Sequence, residues 1–204
     1  MRVFLARHGE TEWNAEHRLQ GRSDTRLTAR GEAHARALAE LLGGERLDAI
    51  YTSTLRRTID TAAPVAASRA VRPEPRAELV EMSYGILEGR TARDLEPELR
   101  ELWTARKRYR LGFRAPGGES YAELVARVAP FIEELRREHA RHSVLIVGHR
   151  ATNRVILGLL LDLSLEESMA LRQKHDCVLE IRPGHEPACV EHTYDAAAEP
   201  GREP

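Results

Sequence analysis

Val144-Leu145-Ile146-Val147 is an unbroken apolar run, and it stops at Gly148-His149. A strand with no polar face must be covered on both sides, as happens when helices pack on both faces of a parallel sheet. Near the start of the chain, Val3-Phe4-Leu5-Ala6 repeats the pattern and stops at Arg7-His8-Gly9. Two such runs restrict the chain to an α/β architecture. Each also delivers a histidine to a strand end.

Between them, strands and helices alternate. Thr28 caps a helix running to about Leu42, stopped by Gly43-Gly44. Leu47 to Tyr51 reads as a second strand. Thr54 to about Ala67 reads as a helix with Thr52 or Ser53 as its cap. Arg76 to Met82 reads as a third strand, and Thr91 to Arg110 is helical in pattern. Ser120 to His139 is a long amphipathic helix with Pro130 as a kink point. Ala151 to Leu161 is again helical. Ser164-Leu165-Glu166-Glu167 matches a capping box, and Cys177 to Ile181 and Ala188 to His192 are candidate strands. The alternation predicts a three-layer α/β/α sandwich with a mostly parallel central sheet. Residues 1–194 are expected to form one domain. Residues 195–204 are small, polar and Pro/Gly-containing, and are expected to be a disordered tail.

Composition narrows function more than fold. Lys and Arg number 31 against 32 Asp and Glu, a formal net charge of -1. That gives no global attraction to nucleic acid or an anionic membrane, so any anion binding must be local. Cys177 and Cys189 are the only cysteines, too few for a disulfide framework or a four-cysteine zinc site. A reducing compartment is the simpler reading. No signal-peptide pattern opens the chain, and the longest apolar stretch, Val155 to Leu163, is too short to span a bilayer. A cytoplasmic location is expected. Lys107 and Lys174 are the only lysines, and Asn14, Asn153, Gln20 and Gln173 the only side-chain amides. A thermostable protein and a GC-rich genome both produce that bias.

The strand ends carry the chemistry. Arg7 is a permanently charged fork suited to phosphate oxygens, and His8 beside it can act as a nucleophile. Gly9 leaves room for a ligand to approach. Arg57 lies in the first turn of the second helix, Glu81 at the end of the third predicted strand, and His149 after the late apolar strand. Each alone has an ordinary structural reading. Four strand ends at one sheet edge point to phosphoryl transfer. Attack needs a neutral imidazole at His8, which the charges of Arg7 and Arg57 favour. They also neutralise the equatorial oxygens in the transition state. A carboxylic acid at Glu81 can protonate a poor leaving group. Two arginines and an imidazolium at His149 stand in for Mg²⁺, so no metal or cofactor is expected. The remaining histidines, His34 and His175 among them, show no metal spacing and read as surface or structural.

An ordered set of motifs sharpens this. Arg7-His8-Gly9-Glu10-Thr11 is followed by Trp13-Asn14, Leu19-Gln20-Gly21, Thr52-Ser53 with Arg57, and Glu81 with Gly85 and Glu88-Gly89. Pro116-Gly117-Gly118-Glu119-Ser120 and Gly148-His149 complete it. The chain resembles the histidine phosphatase superfamily, the clan of cofactor-dependent phosphoglycerate mutase, over roughly its length to His192. The resemblance implies that His8 accepts the phosphoryl group and that Arg7, Arg57 and His149 clamp it. It implies Asn14 as a further polar contact, Gln20 and Gly21 as a loop near substrate, and Glu81 as general acid. The family's spacing selects Arg57 over Arg56.

The function expected is a metal-independent phosphomonoesterase of the histidine acid phosphatase type, acting on a small phosphorylated metabolite. Phosphoserine, phosphoglycerate derivatives, sugar phosphates and α-ribazole phosphate all suit it. The alternatives are a cofactor-dependent phosphoglycerate mutase and a catalytically silent binding protein on the same fold. The short chain and the sequence from Met82 to Gly89 stand closer to the phosphatase branch. Arg106-Lys107-Arg108-Tyr109-Arg110 reads either as a lid for a second anionic group or as a solvated helix end. Oligomeric state stays open, with a homodimer common among relatives.

Overall fold

The computed structural model describes residues 1–93, 95–109, 111–170 and 172–194. In chain order these form β1 (Arg2–Arg7), α1 (Glu12–Ala15), α2 (Ala29–Leu41), β2 (Ala49–Ser53), α3 (Arg56–Ala67) and β3 (Pro73–Arg76). There follow α4 (Pro97–Arg108), α5 (Tyr121–Glu138), β4 (Ser143–Gly148), α6 (Arg150–Leu161), α7 (Leu165–Ala170), β5 (Cys177–Ile181) and β6 (Cys189–Thr193). The strands form one sheet in the order β3-β2-β4-β1-β5-β6. The first four run parallel, and β5 and β6 join antiparallel.

Two hydrophobic layers explain the unbroken apolar runs. Val3, Leu5, Val144 and Ile146 face one way, onto α5 and α6 through Leu124, Val128, Phe131, Val155 and Ile156. Phe4, Ala6, Leu145 and Val147 face the other way, onto Leu38, Ala62 and Val65 of α2 and α3. Successive side chains of a strand point to opposite faces, so strands buried on both faces carry no polar positions. The three-layer α/β architecture with a mostly parallel sheet is therefore the observed one.

Several expected boundaries move, each for a physical reason. The third strand is Pro73–Arg76, not Arg76 to Met82. It lies at the sheet edge, where Pro73 and Pro75 are tolerated because one side of the strand needs no ladder donors. A 3-10 turn, Ala77–Leu79, follows, and Leu79 and Met82 are buried in the core rather than in a ladder. Glu81 thus lies beyond the strand. Thr52 and Ser53 end β2 and do not cap α3. The helix starts after Leu55, and the Arg56 N–H donates to Asp24 Oδ2 at 2.5 Å, a cap supplied by a distant loop. Helix α4 begins at Pro97, six residues later than Thr91, because proline suits the first turn. The short α1, capped reciprocally by Thr11 and Asn14, was not foreseen. Ser164 and Glu167 do form the expected capping box. Pro130 lies within α5 without ending it. Residues 195–204 lie outside the described residues. Among the described residues no helix is long and apolar enough to cross a membrane.

Candidate active site

The carboxyl ends of β1, β2 and β4 converge on a cleft of about 540 Å³. In open α/β sheets this is where ligands bind. Arg7, His8, Asn14, Gln20, Gly21, Arg57 and Glu81 all line it.

His8 is buried. Its Nδ1 lies 2.8 Å from the carbonyl oxygen of Gly9. A carbonyl can only accept, so Nδ1 carries the proton and Nε2 keeps its lone pair. Burial first, then the charge of Arg57, holds the His8 pKa well below the ordinary 6.5. The ring is neutral and nucleophilic at Nε2. The Arg7 Nε is buried without a hydrogen-bond partner among the described residues. Burial, then repulsion from Arg150, pushes its pKa down to about 10, still charged at neutral pH. A buried cation of this kind is suited to an anion entering the cleft.

Arg57 is almost wholly buried at the start of α3. Its Nη2 donates to Gly21 O at 2.7 Å, and its Nη1 to Ser23 O at 2.7 Å and Asp24 Oδ1 at 3.2 Å. Its Nε donates to His149 Nδ1 at 3.2 Å. Arg57 therefore ties the 21–24 loop to the floor of the cleft. The neighbouring Arg56 is exposed and pairs with Asp60 across one helical turn.

His149 departs from expectation. It lies within 5.2 Å of the His8 ring, centroid to centroid, but is fully buried and does not line the cleft. Nδ1 accepts from Arg57, so Nε2 carries the proton and donates to Ser53 Oγ at 2.8 Å. Burial and the charge of Arg57 hold its pKa well below 6.5. The expected imidazolium is thus replaced by a neutral ring that aims Arg57.

Glu81 is placed by α6 rather than by a strand. Its Oε1 accepts from the N–H of Met82 at 2.9 Å and of Thr152 at 3.2 Å, and from Thr152 Oγ1 at 3.2 Å. Its Oε2 accepts from Ala151 N–H at 3.2 Å. These donors at the amino end of α6 fix the carboxyl at the cleft wall. Glu10 and Glu88, the other motif carboxylates, do not line the cleft. Glu10 accepts from Thr28 Oγ1 at 2.9 Å. Glu88 accepts from Ser23 N–H and Oγ at 3.0 and 2.9 Å and from Tyr84 N–H at 2.9 Å. It therefore locks the 20s loop onto the segment after Glu81.

The loop residues take more structural parts than expected. Both ends of the Gln20 amide are engaged, Oε1 by Thr11 Oγ1 at 3.1 Å and Nε2 by Thr25 Oγ1 at 2.7 Å. Gly21 has φ of 56°, and a Cβ there would lie 2.2 Å from Glu88 Oε1. Asn14 lines the cleft, and its Oδ1 accepts from the Thr11 N–H at 3.1 Å, closing the cap of α1.

Of the cleft's outer wall, sequence reasoning offered only the basic run 106–110 and missed Arg18, Arg150 and Arg154. Arg18, Arg106, Lys107, Arg150 and Arg154 all line it. Arg150 directly follows His149, a signal that was available. Arg106 lies over Trp103 and Tyr84, at 4.8 and 5.6 Å from the ring centroids. Of the basic run 106–110, Arg108 lies over Tyr109 instead, and Arg110 lies outside the described residues. Among the described residues no group of three His, Cys, Asp or Glu side chains is placed to share a metal ion.

Fold and cleft together place a buried histidine with two arginines and a carboxylate at the carboxyl ends of a mostly parallel α/β sheet. A sequence model of the histidine phosphatase superfamily (branch 1) matches residues 3–195, and the chain belongs to that family. It is 34% identical over 183 residues to 6-phosphofructo-2-kinase/fructose-2,6-bisphosphatase of Gallus gallus, covering 89% of this chain and 37% of that one. The chain thus spans well under half the length of such relatives. It is 33% identical over 170 residues to phosphoserine phosphatase 1 of Hydrogenobacter thermophilus, covering 82% and 79% of the two chains. The crystal structure of the α-ribazole phosphatase from Shigella flexneri superposes with a TM-score of 0.83 at 29% identity, covering 99% of this chain and 100% of that one. Members of the superfamily are phosphatases and mutases.

Proposed function

We propose that this chain is a phosphomonoesterase that hydrolyses a small phosphorylated metabolite through a phosphohistidine at His8. The observation that carries the reading is the His8 ring, neutral and fixed with Nε2 bare, beside the buried guanidinium of Arg7. The relatives with the words phosphatase and bisphosphatase in their names support the same reading.

In the first step Nε2 attacks phosphorus as the P–O bond to the leaving oxygen breaks. Arg7 and Arg57 meet the charge on the equatorial oxygens. Glu81 gives its proton to the leaving oxygen. In the second step water attacks the phosphohistidine, its proton passes to Glu81, and His8 is returned with inorganic phosphate released. The positive charge needed for both steps comes from arginines of the chain itself.

A quenched-turnover experiment tests this. After reaction with labelled substrate and a quench in base, acid-labile phosphate is expected on His8 and is absent from His8→Ala. Turnover without that adduct, or full activity in His8→Ala, overturns the reading. Exhaustive chelation of divalent ions is expected to leave the rate unchanged. Conversion between phosphoglycerates that depends on 2,3-bisphosphoglycerate, in place of phosphate release, would move the chain to the mutases.

A further inference from the structure

The peptide unit joining His8 to Gly9 is gripped by side chains from two distant parts of the chain. Thr61 Oγ1, on α3, accepts the Gly9 N–H at 2.9 Å. His175, in the loop leading into β5, places Nδ1 2.6 Å from the His8 carbonyl oxygen. That oxygen can only accept, so His175 Nδ1 carries a proton and donates it. The next carbonyl along, that of Gly9, is the partner of the His8 ring. The Gly9 carbonyl belongs to the following peptide, whose Glu10 N–H donates to His34 Nδ1 at 3.4 Å, and the 8–9 plane is the fixed frame from which the φ and ψ of Gly9 aim that carbonyl. The Gly9 carbonyl in turn decides which nitrogen of His8 holds the proton.

His175 is itself held for this task. Its ring meets the His8 ring edge-on, with centroids 5.4 Å apart, and lies nearly parallel to the His34 ring at 5.9 Å. Its backbone carbonyl accepts from Tyr194 Oη at 2.8 Å. Burial holds its pKa down to about 3, so it donates as a neutral ring and brings no charge to His8. A cation in its place would repel Arg7 and change the electrostatics of the site.

We propose that His175 is a positioning residue for the nucleophile. By fixing the His8–Gly9 peptide it keeps the Gly9 carbonyl where it selects the Nδ1–H tautomer of His8, leaving Nε2 for the phosphoryl group. The proposal rests on the reading of His8 as nucleophile. It assigns a task to a histidine that lies 167 residues away in sequence.

Two variants separate positioning from bulk. His175→Leu fills the space and removes the donor. In His175→Asn the amide nitrogen takes the place of Nδ1 and can still donate. With ¹⁵N-labelled histidine, NMR of the wild-type chain is expected to show His8 protonated at Nδ1 and bare at Nε2. In His175→Leu the Nε2–H tautomer grows in, and in His175→Asn the wild-type pattern returns. With p-nitrophenyl phosphate, kcat is expected to fall about 10- to 100-fold in the Leu variant with KM within about threefold, and to recover most of that loss in the Asn variant. If His175→Leu does not fold, Thr61→Val releases the same peptide from its other side and is read in the same way. An unchanged His8 tautomer in the donor-less variant overturns the proposal. Equal impairment of the Leu and Asn variants also overturns it, since a purely packing role would not distinguish them. Because the tautomer is read without turnover, the result stands apart from the phosphatase reading. An inactive wild-type chain with no phosphohistidine would sink that reading alone.

Discussion

The floor and the rim of the cleft are built on opposite terms. On the floor His8, Arg57, His149 and Glu81 are buried, and nearly every polar atom has a named protein partner. At the rim Lys107 and Arg150 are exposed. Arg18, Arg106 and Arg154 add to the positive wall, and Glu81 is the one carboxylate lining the cleft among the described residues. On the proposed phosphatase reading, a floor fixed this way would present the same reacting geometry to any phosphate ester, and the cations of the rim would discriminate by what else the substrate carries. Substitutions in the two regions should then have different signatures.

The largest effect is expected at Glu81. Glu81→Gln preserves shape and most hydrogen bonding but cannot cycle a proton. An alkyl phosphate, with a poor leaving group, should lose about 10²–10⁴-fold in kcat. The burst of p-nitrophenol from p-nitrophenyl phosphate should fall far less, because its leaving group needs little protonation. Pre-steady-state kinetics separate this burst from slow dephosphorylation. Equal losses in the burst for both esters would mean that Glu81 only positions the phosphate, and the floor would lose its proton donor.

Next come the adjacent arginines. Arg57→Ala removes both a contact for phosphate and the anchor of the 21–24 loop, so kcat/KM should fall about 30- to 1,000-fold. Arg56→Ala removes one exposed pair with Asp60, worth little. Its activity should stay within about threefold of wild type. The reverse ranking would show that the loop, not the floor, holds the reacting phosphate.

Much of the floor was legible in the sequence because it sits at ends of unbroken apolar strands. Arg7, His8 and His149 are placed by β1 and β4, and a strand buried on both faces leaves a strong pattern. The pair Arg56-Arg57 was legible in the first turn of a helix, and the family resemblance selected Arg57 of the two. Glu81 was found but its support was not. Its partners at Ala151 and Thr152 lie 70 and 71 residues away, and no local pattern announces a helix terminus closing on a remote loop. The same holds for Asp24 as cap of α3 and for His175 behind His8. The state of His149 was misjudged because charge was inferred from residue type, while complete burial favours the neutral ring. The edge strand Pro73–Arg76 was misplaced because proline reads as a breaker until its edge position is known. The rim was legible only as a basic run.

A smaller, substrate-dependent effect is expected at that rim. Arg150→Ala and Lys107→Ala should lower kcat/KM about tenfold for an ester bearing a second phosphate or a carboxylate, from loss of one charge-assisted contact. For p-nitrophenyl phosphate, which has no such group, the change should stay within about twofold. A common loss on both esters would put these cations on the reacting phosphate and erase the division between floor and rim.

The smallest effect expected is a pH response that does not appear. A histidine with an ordinary pKa near 6.5 would be largely protonated at pH 5.5 and could not attack. The folded His8 has its pKa lowered by burial and by the charges of Arg57 and Arg7. The sign is therefore clear: the active, neutral form persists on the acid side of 6.5 and is lost only further down. Substrate phosphate titrates near pH 6 and would obscure this in a rate profile. The cleaner measurement is a ¹⁵N titration of the His8 ring in the free protein. Its Nε2 signal should hold its neutral position from about pH 7.5 to about pH 5.5. In Arg57→Ala one of the opposing charges is gone, so the protonation midpoint should move up relative to wild type. A midpoint at or above 6.5 in the wild-type chain would mean that the floor is open to water, and that its rigidity, the basis of the contrast with the rim, had been overstated.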